Sequence, residues 1–222
     1  MGLREEKKQA TRAALSWAAT RLAVERGFDN VLVEDIAAAA GVSPRTFNNY
    51  FGSKGEAIAA RHLDRCLATV AELRARPAGE PLWEALRASV MPQTLPGPEV
   101  RADPVTDRDR WVAGVRVMVS HPQHQAEFLR AAARAETELA AAVAARTGTD
   151  PEGDLYPKLV AAAVLAAVNA ATSHWISTDA ATDVGALLDE AIHCLAAGLP
   201  PPDPSSGSPP GHPSRRPATP QW

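Results

Sequence analysis

The chain has 222 residues, 45% of them hydrophobic, and a formal net charge of −3, which allows one or two domains with a sizeable core. Its two cysteines, Cys66 and Cys194, have neither disulfide nor metal spacing and read as unpaired thiols of a reducing compartment. The opening MGLREEKKQATRAAL lacks the apolar centre of a secretory signal, and the apolar run at 159–171 is alanine-rich, interrupted by Asn169 and too short to span a bilayer, so a soluble cytoplasmic protein without a membrane partner is expected.

Charge is unevenly spread. Residues 1–76 carry twelve Lys and Arg against nine Asp and Glu, and residues 77–222 carry eleven against seventeen. A basic front suits a meeting with an anion, although so small an excess also arises by chance.

The expected fold class is all-α, because no convincing period-2 strand occurs before residue 199. A first helix, at about 4–26, stripes Leu15, Ala18, Ala19 and Leu22 along one face and stops at Gly27. A second helix, at about 34–40, stops at Gly41. In GVSPRTFNNYFGSK, glycine ends one helix, Ser43-Pro44 starts another and Gly52-Ser53 ends it after about two turns. A fourth helix has capping-box spacing at Ser53-Lys54-Gly55-Glu56 and runs to about 76. Pro77-Ala78-Gly79 marks a domain boundary, so the expected organisation is a helix-turn-helix domain at 1–54, a connecting helix at about 53–76 and a helical domain at 77–199. Within that last domain, helices are expected at about 81–91, 107–120, 122–147, 154–177 and 182–198, with PQTLPGPEVRADP and TGTDPEGD as loops. The tail at 200–222 holds nine prolines with serine and glycine and no apolar period, the composition of a disordered segment.

So short a third helix is not stable alone in water. At 100° per residue Phe47 and Phe51 share its inner side, while Arg45, Asn48 and Asn49 fall opposite. Arginine binds guanine O6/N7 and asparagine binds adenine N6/N7, each through two points. A two-turn helix offering such groups behind a glycine turn is the recognition element of a helix-turn-helix; Tyr50 and Lys54, at its end and at the next helix start, are placed to meet phosphate. An ordinary solvated helix of a bundle carries the same residue types.

The segment ERGFDNVLVEDIAAAAGVSPRTFNNYFGSKGEAI, within residues 10–58, resembles the DNA-binding domain of TetR-family transcriptional regulators. Gly27-Phe28, Ile36-Ala37, Ala40-Gly41-Val42-Ser43, Phe47, Tyr50-Phe51 and Ser53-Lys54 carry the likeness. The resemblance implies DNA contacts at Ser43, Pro44, Arg45, Asn48, Asn49, Tyr50 and Lys54. Val31-Leu32-Val33 departs from the family pattern in lacking a hydroxyl before the second helix, and Asn48 stands where the family commonly has tyrosine. The TFNNYF version is similar to actinobacterial regulators with an acyl-CoA-like ligand-binding domain, including mycofactocin-associated ones.

In the rear domain, Val184, Leu187, Leu188, Ala191, Ile192 and Leu195 recur at helical spacing, as do Val160, Ala163, Val164, Ala167, Val168 and Ala171. The resemblance implies that these two helices pair with their copies in a homodimer, with Val164, Val168, Ala171, Leu187, Leu188, Ala191, Ile192 and Leu195 at the interface; a core within one chain would show the same periodicity. Trp83, Leu86, Trp111, Val115, Met118, Val119, Phe128 and Trp175 are candidates to line an apolar ligand pocket, with Val90 beside them, Arg116 as an anion anchor and Asn169 as a further polar group. Each apolar candidate is more often plain core, and Asn169 also suits a satisfied core polar group. His121, His124 and Glu127 have i, i+3, i+6 spacing that admits a metal, but His-Pro at a helix start is also a capping signal, so no metal or other cofactor is expected.

No phosphate loop, nucleophile elbow or paired-cysteine site occurs, so the chain is not expected to be an enzyme. The expected function is a homodimeric regulator, read as a repressor, that binds a palindromic operator in double-stranded DNA and is released by a small apolar or acyl-CoA-like effector. The alternative is a ligand-independent architectural DNA-binding helical dimer.

Overall fold

The computed structural model describes residues 2–95, 98–105, 112, 113, 115, 121–178 and 183–201. Among these residues there is no strand, and the ordered elements are helices joined by short turns. They are α1 (Leu3–Arg26), α2 (Val33–Ala39), α3 (Pro44–Asn48), α4 (Lys54–Ala75), α5 (Leu82–Val90), α6 (Pro98–Ala102), α7 (Pro122–Thr147), α8 (Leu155–Ser177) and α9 (Val184–Ala196). Short 3₁₀ turns at Phe28–Asn30 and Met91–Thr94 link α1 to α2 and extend α5. The stretch read as one loop after α5 therefore contains most of a 3₁₀ turn, with Pro92 as its second residue, and α6, which begins on Pro98; each proline fixes φ for a first helical turn. The expected helix at about 107–120 and the proline-rich tail from 202 onward lie outside the described residues.

The first three helices fold around one core. Leu15, Ala19 and Leu22 of α1 meet Phe28, Val31, Ile36, Phe47 and Phe51, and Ala57 and Ile58 of α4 close the cluster. Two glycines make the turns. Gly27 ends α1 at φ 84°, ψ 143°, and Gly41 opens the α2–α3 turn at φ 69°; a Cβ at either position would be strained. Ser53 starts α4 by accepting from the Glu56 backbone N–H at 3.0 Å, while the Glu56 carboxylate accepts from Gly52 N–H at 2.7 Å. These two bonds satisfy donors that the helix start would otherwise leave open.

Helix α4 then leaves the first core and becomes the spine of the second half. It packs along α7, and α7 along α8, with α9 against α8. Val70 and Leu73 of α4, Leu86 of α5, Leu139 and Val143 of α7, Val164 of α8 and Ile192 of α9 form a second core. The α4–α5 turn is tied to the end of α7 by Arg146, whose guanidinium donates to the Pro77 and Glu80 carbonyls at 2.6 Å each. Helix α8 is longer than the apolar run suggested and is apolar enough, by length and composition, to cross a membrane. One side of it is buried in this core.

Candidate functional site

Helix α3, the expected recognition element, is held from behind and open in front. Ser43 caps α3 by accepting from Thr46 N–H at 3.1 Å, with Pro44 as the first helical residue. Phe47 and Phe51 are buried, with ring centroids 5.7 Å apart. Ser43, Pro44, Arg45, Asn48 and Asn49 are exposed, and Tyr50 is half-buried beside Phe51. Among the described residues, the side chains of Arg45, Asn48 and Asn49 make no hydrogen bond, so their donors and acceptors are uncommitted.

Lys54 is different. Its ammonium donates to the Phe28 carbonyl at 2.7 Å and the Val31 carbonyl at 3.0 Å, and lies 4.5 Å from the Phe28 ring centroid. Phosphate contact was expected of it; its position instead clamps the start of α4 to the α1–α2 turn. Phe28 and Val31 bracket that 3₁₀ turn and are buried, and the ammonium bonds to both of their carbonyls at once.

A second clamp joins the reader to α4. The Arg12 guanidinium donates from Nε to both oxygens of Asp64 at 3.2 Å and stacks 4.8 Å from the centroid of Phe51. Burial raises the Asp64 carboxyl above its ordinary value, with Arg12 opposing the shift. A third contact comes from the start of α7. The His121 ring lies 4.3 Å from that of Phe28, and its Nε2 is 3.2 Å from Asp29. The His121, His124 and Glu127 spacing does not converge: His121 goes to Asp29, Glu127 pairs with Arg130 at 2.6 Å, and His124 is buried beside Phe128. Among the described residues, no group of His, Cys, Asp or Glu is arranged to hold a metal ion.

Between α4, α7, α8 and α9 lies a cavity of about 940 Å³, with Trp17 and Thr20 of α1 at one end. Of the residues expected to line a pocket, Phe128, Asn169, Trp175 and Val90 do so. Leu86 is instead buried in the second core with Trp83 packed against that core, and Val115 packs against the first core. Leu86 and Trp83 recur at i, i+3 spacing, which marks a buried stripe without saying whether it faces side chains or space. Trp111, Arg116, Met118 and Val119 lie outside the described residues.

What the sequence reading missed is the wall contributed by α4. Ile58, His62, Arg65, Cys66 and Thr69 all line the cavity. The available signal was their i, i+4, i+7, i+8, i+11 spacing: one helix face, polar where a packed core would be apolar. Burial pushes His62 down to about 4, with Arg65 and His124 adding to the shift, and lowers His124 below its ordinary value. Burial also brings Arg65 down to about 10 and pushes the Cys66 thiol up to about 11. At neutral pH both histidines and the thiol are uncharged, and Arg65 keeps its proton.

Part of the set expected at a dimer interface faces the protomer's own interior. Val164, Ala171, Leu188 and Ile192 are buried within the protomer, and Val164, Val168 and Leu188 line the cavity. Leu187, Ala191 and Leu195 are half-buried. The face that α8 leaves open carries Leu155, Tyr156 and Leu159, 68%, 48% and 56% exposed, followed by exposed Ala166 and Ala170. A helix apolar on all sides has two candidate inner faces, and spacing cannot choose between them.

Residues 17–60 match the family model described as bacterial regulatory proteins, tetR family, and residues 80–200 match the MftR C-terminal domain. The chain belongs to the TetR family of transcriptional regulators. It is 33% identical over 189 residues to the HTH-type transcriptional regulator TcmR of Streptomyces glaucescens, covering 84% of this chain and 81% of that protein. Among solved structures, the fatty acid degradation regulator FadR of Bacillus halodurans is similar with a TM-score of 0.53 at 18% identity, over 85% of this chain and 96% of the other. FadR of Thermus thermophilus, a repressor solved with lauroyl-CoA, is similar with a TM-score of 0.51 at 18% identity, over 90% and 100%. These likenesses show the TetR-family fold, with a DNA-binding domain in front and a helical domain behind. Here the front domain is the α1–α3 unit, and the α2–α3 pair is its helix-turn-helix.

Proposed function

We propose that this TetR-family regulator is a homodimeric, cytoplasmic repressor whose α3 helices read the half-sites of a palindromic operator, and that an apolar or acyl-CoA-like effector in the cavity releases it. Arg45, Asn48 and Asn49 supply base-edge contacts, and Ser43, Pro44 and Tyr50 fit the backbone around them. Lys54 serves the reader by fixing the turn behind it. One short helix reads too few bases to be selective, which favours two readers about 34–36 Å apart on one face of the duplex. The exposed apolar face of α8 (Leu155, Tyr156, Leu159, Ala166 and Ala170) suits a second copy, with Leu187, Ala191 and Leu195 of α9 at its margin.

The observation that carries the reading is that the cavity wall is shared with the DNA-binding unit. Ile58 is buried in the first core and also lines the cavity, and the cavity-lining Trp17 and Thr20 are buried on α1, the helix that supplies Leu15 and Leu22 to that core. A molecule filling the cavity therefore pushes on side chains that also seat the reader. Its leverage equals its differential affinity for the DNA-bound and released arrangements. An architectural protein without a ligand has no use for such a space, because an unfilled apolar cavity costs stability.

The test is operator binding by Arg45→Ala/Asn49→Ala on DNA from upstream of the protein's own gene. The double variant is expected to keep salt-dependent, nonspecific binding and to lose preference for the operator over scrambled sequence. Unchanged preference would refute the reader assignment.

A further inference from the structure

Beside the large cavity, and sharing Arg61, Arg65 and Gln93 with it, lies a second space of about 190 Å³ edged by Ala13, Ser16, Asp64, Leu95 and Glu99. Among the described residues, the charges around this junction are hydrogen-bonded in pairs except for Arg65, which feels the Glu99 carboxylate without bonding to it. Arg61 donates to Glu99 at 2.7 Å, and Asp64 is held by Arg12 at 3.2 Å. Arg65 faces both spaces, and among the described residues no carboxylate lies within hydrogen-bond distance of its guanidinium. Two imidazoles stand near it: His62 is close enough to feel the charges of both Arg65 and His124, which makes the three one polar patch. His124 is 6% exposed, and its Nδ1 has no hydrogen-bond partner among the described residues although the residue lines the cavity. Away from this patch the wall is apolar, with Ile58, Val90, Phe128, Leu139, Val164, Leu165 and Leu188.

Arg65 is exposed to these spaces, so its guanidinium is open to an incoming ligand, and an anion that brings its own apolar body bonds to it while burying that body against the apolar wall. We propose that the effector is an amphipathic anion, its charged group bound by Arg65 at the junction of the two spaces and its apolar body lying in the large cavity. His124 Nδ1 supplies a further hydrogen bond at the charged end. The inference rests on the reading of the cavity as an effector site, and it adds the ligand's charge and the residue that selects it. A neutral apolar molecule of the same length fills the same space but leaves the guanidinium unpaired. The large cavity lies toward the upper end of small-molecule sites, which commonly run about 300–1,000 Å³, so long or multi-ring bodies fit better than short ones.

The test uses the full chain and the fluorescence of its tryptophans, two of which, Trp17 and Trp175, line the cavity. Dodecanoate and dodecanol are titrated into the wild type, Arg65→Gln and Arg65→Lys. The wild type is expected to bind the acid about tenfold to hundredfold more tightly than the alcohol, the range of a charge-assisted hydrogen bond. Arg65→Gln loses that preference while its affinity for dodecanol stays as it was, and Arg65→Lys keeps part of it. Lauroyl-CoA titrated in parallel separates two sources of anion: the ligand whose affinity falls further in Arg65→Gln carries the group that Arg65 holds. Equal binding of acid and alcohol by the wild type, or a preference that survives Arg65→Gln, overturns the proposal and leaves the effector cavity standing. Absence of binding by all three probes overturns both.

Discussion

The front and rear halves of this regulator use similar apolar side chains to opposite ends. In the front, Leu15, Ile36, Phe47 and Phe51 are fully enclosed, and the short α2 and α3 share one core with the long α1 and the start of α4. In the rear, longer helices with many alanines meet around about 940 Å³ of unfilled space, and one helix leaves leucines facing outward. Packing is close behind the helix proposed to read DNA and incomplete around the cavity proposed to take the effector. The difference shows that helix length alone does not set rigidity: the five-residue α3 is the more firmly seated element because two aromatic anchors and a serine cap hold it.

The largest expected effect breaks this contrast directly. Phe47→Ala removes a fully buried ring from the front core and is expected to cost about 3–5 kcal/mol. Phe128→Ala, on the cavity wall, is expected to cost under about 1 kcal/mol, because the ring already borders empty space. Urea denaturation of both variants measures the pair, and equal losses would mean that the rear half is as tightly packed as the front.

The next effect concerns the wall of α4. His62 is held down to about 4 by burial, Arg65 and His124, against an ordinary value of 6.5. Between those values the unfolded chain binds a proton that the folded chain does not, so stability is full above about pH 6.5 and falls as pH drops toward 4. The loss from this group is roughly 3 kcal/mol. His124, also lowered by burial, adds in the same direction. Denaturation midpoints between pH 7.5 and 4.5 should fall steeply for the wild type and less for His62→Gln.

Smaller effects sharpen the account of the front half. Lys54→Met loses two charge-assisted hydrogen bonds to carbonyls and is expected to cost about 2 kcal/mol while leaving the salt dependence of DNA binding unchanged. A phosphate contact would behave oppositely, reducing the salt slope by about one with little change in stability. Ser43→Ala removes the α3 cap and is expected to cost about 1 kcal/mol, read as a lower midpoint in urea.

Helix α3 was legible in the sequence because its local signals agree. Glycine at 41, serine and proline at 43 and 44, aromatics at 47 and 51 and the serine at 53 each point to the same short helix, and each does what its chemistry suggests. The duty of Lys54 was not legible, since a lysine at a helix start suits a phosphate as well as a carbonyl, and only the fold brings Phe28 and Val31 within its reach. The rear half was legible as helices but not as faces. Alanine-rich α8 offers no polar side to define outward, so residues such as Val164 and Ile192 read as interface when they are interior. The cavity was hidden for a related reason: Leu86 and Phe128 have the same apolar character, yet one is enclosed by neighbouring side chains and the other, packed beside His62 and His124, also borders open space.

The measurement that tests the central claim most directly is the affinity of the protein for its upstream DNA, by fluorescence anisotropy at fixed salt, with and without saturating lauroyl-CoA or dodecanoate. If the cavity wall and the reader are one mechanical unit, the ligand that binds will weaken selective binding at least tenfold while nonspecific binding stays as it was. A ligand that binds in the cavity and leaves operator affinity unchanged would contradict the coupling, whatever the fit of the cavity itself.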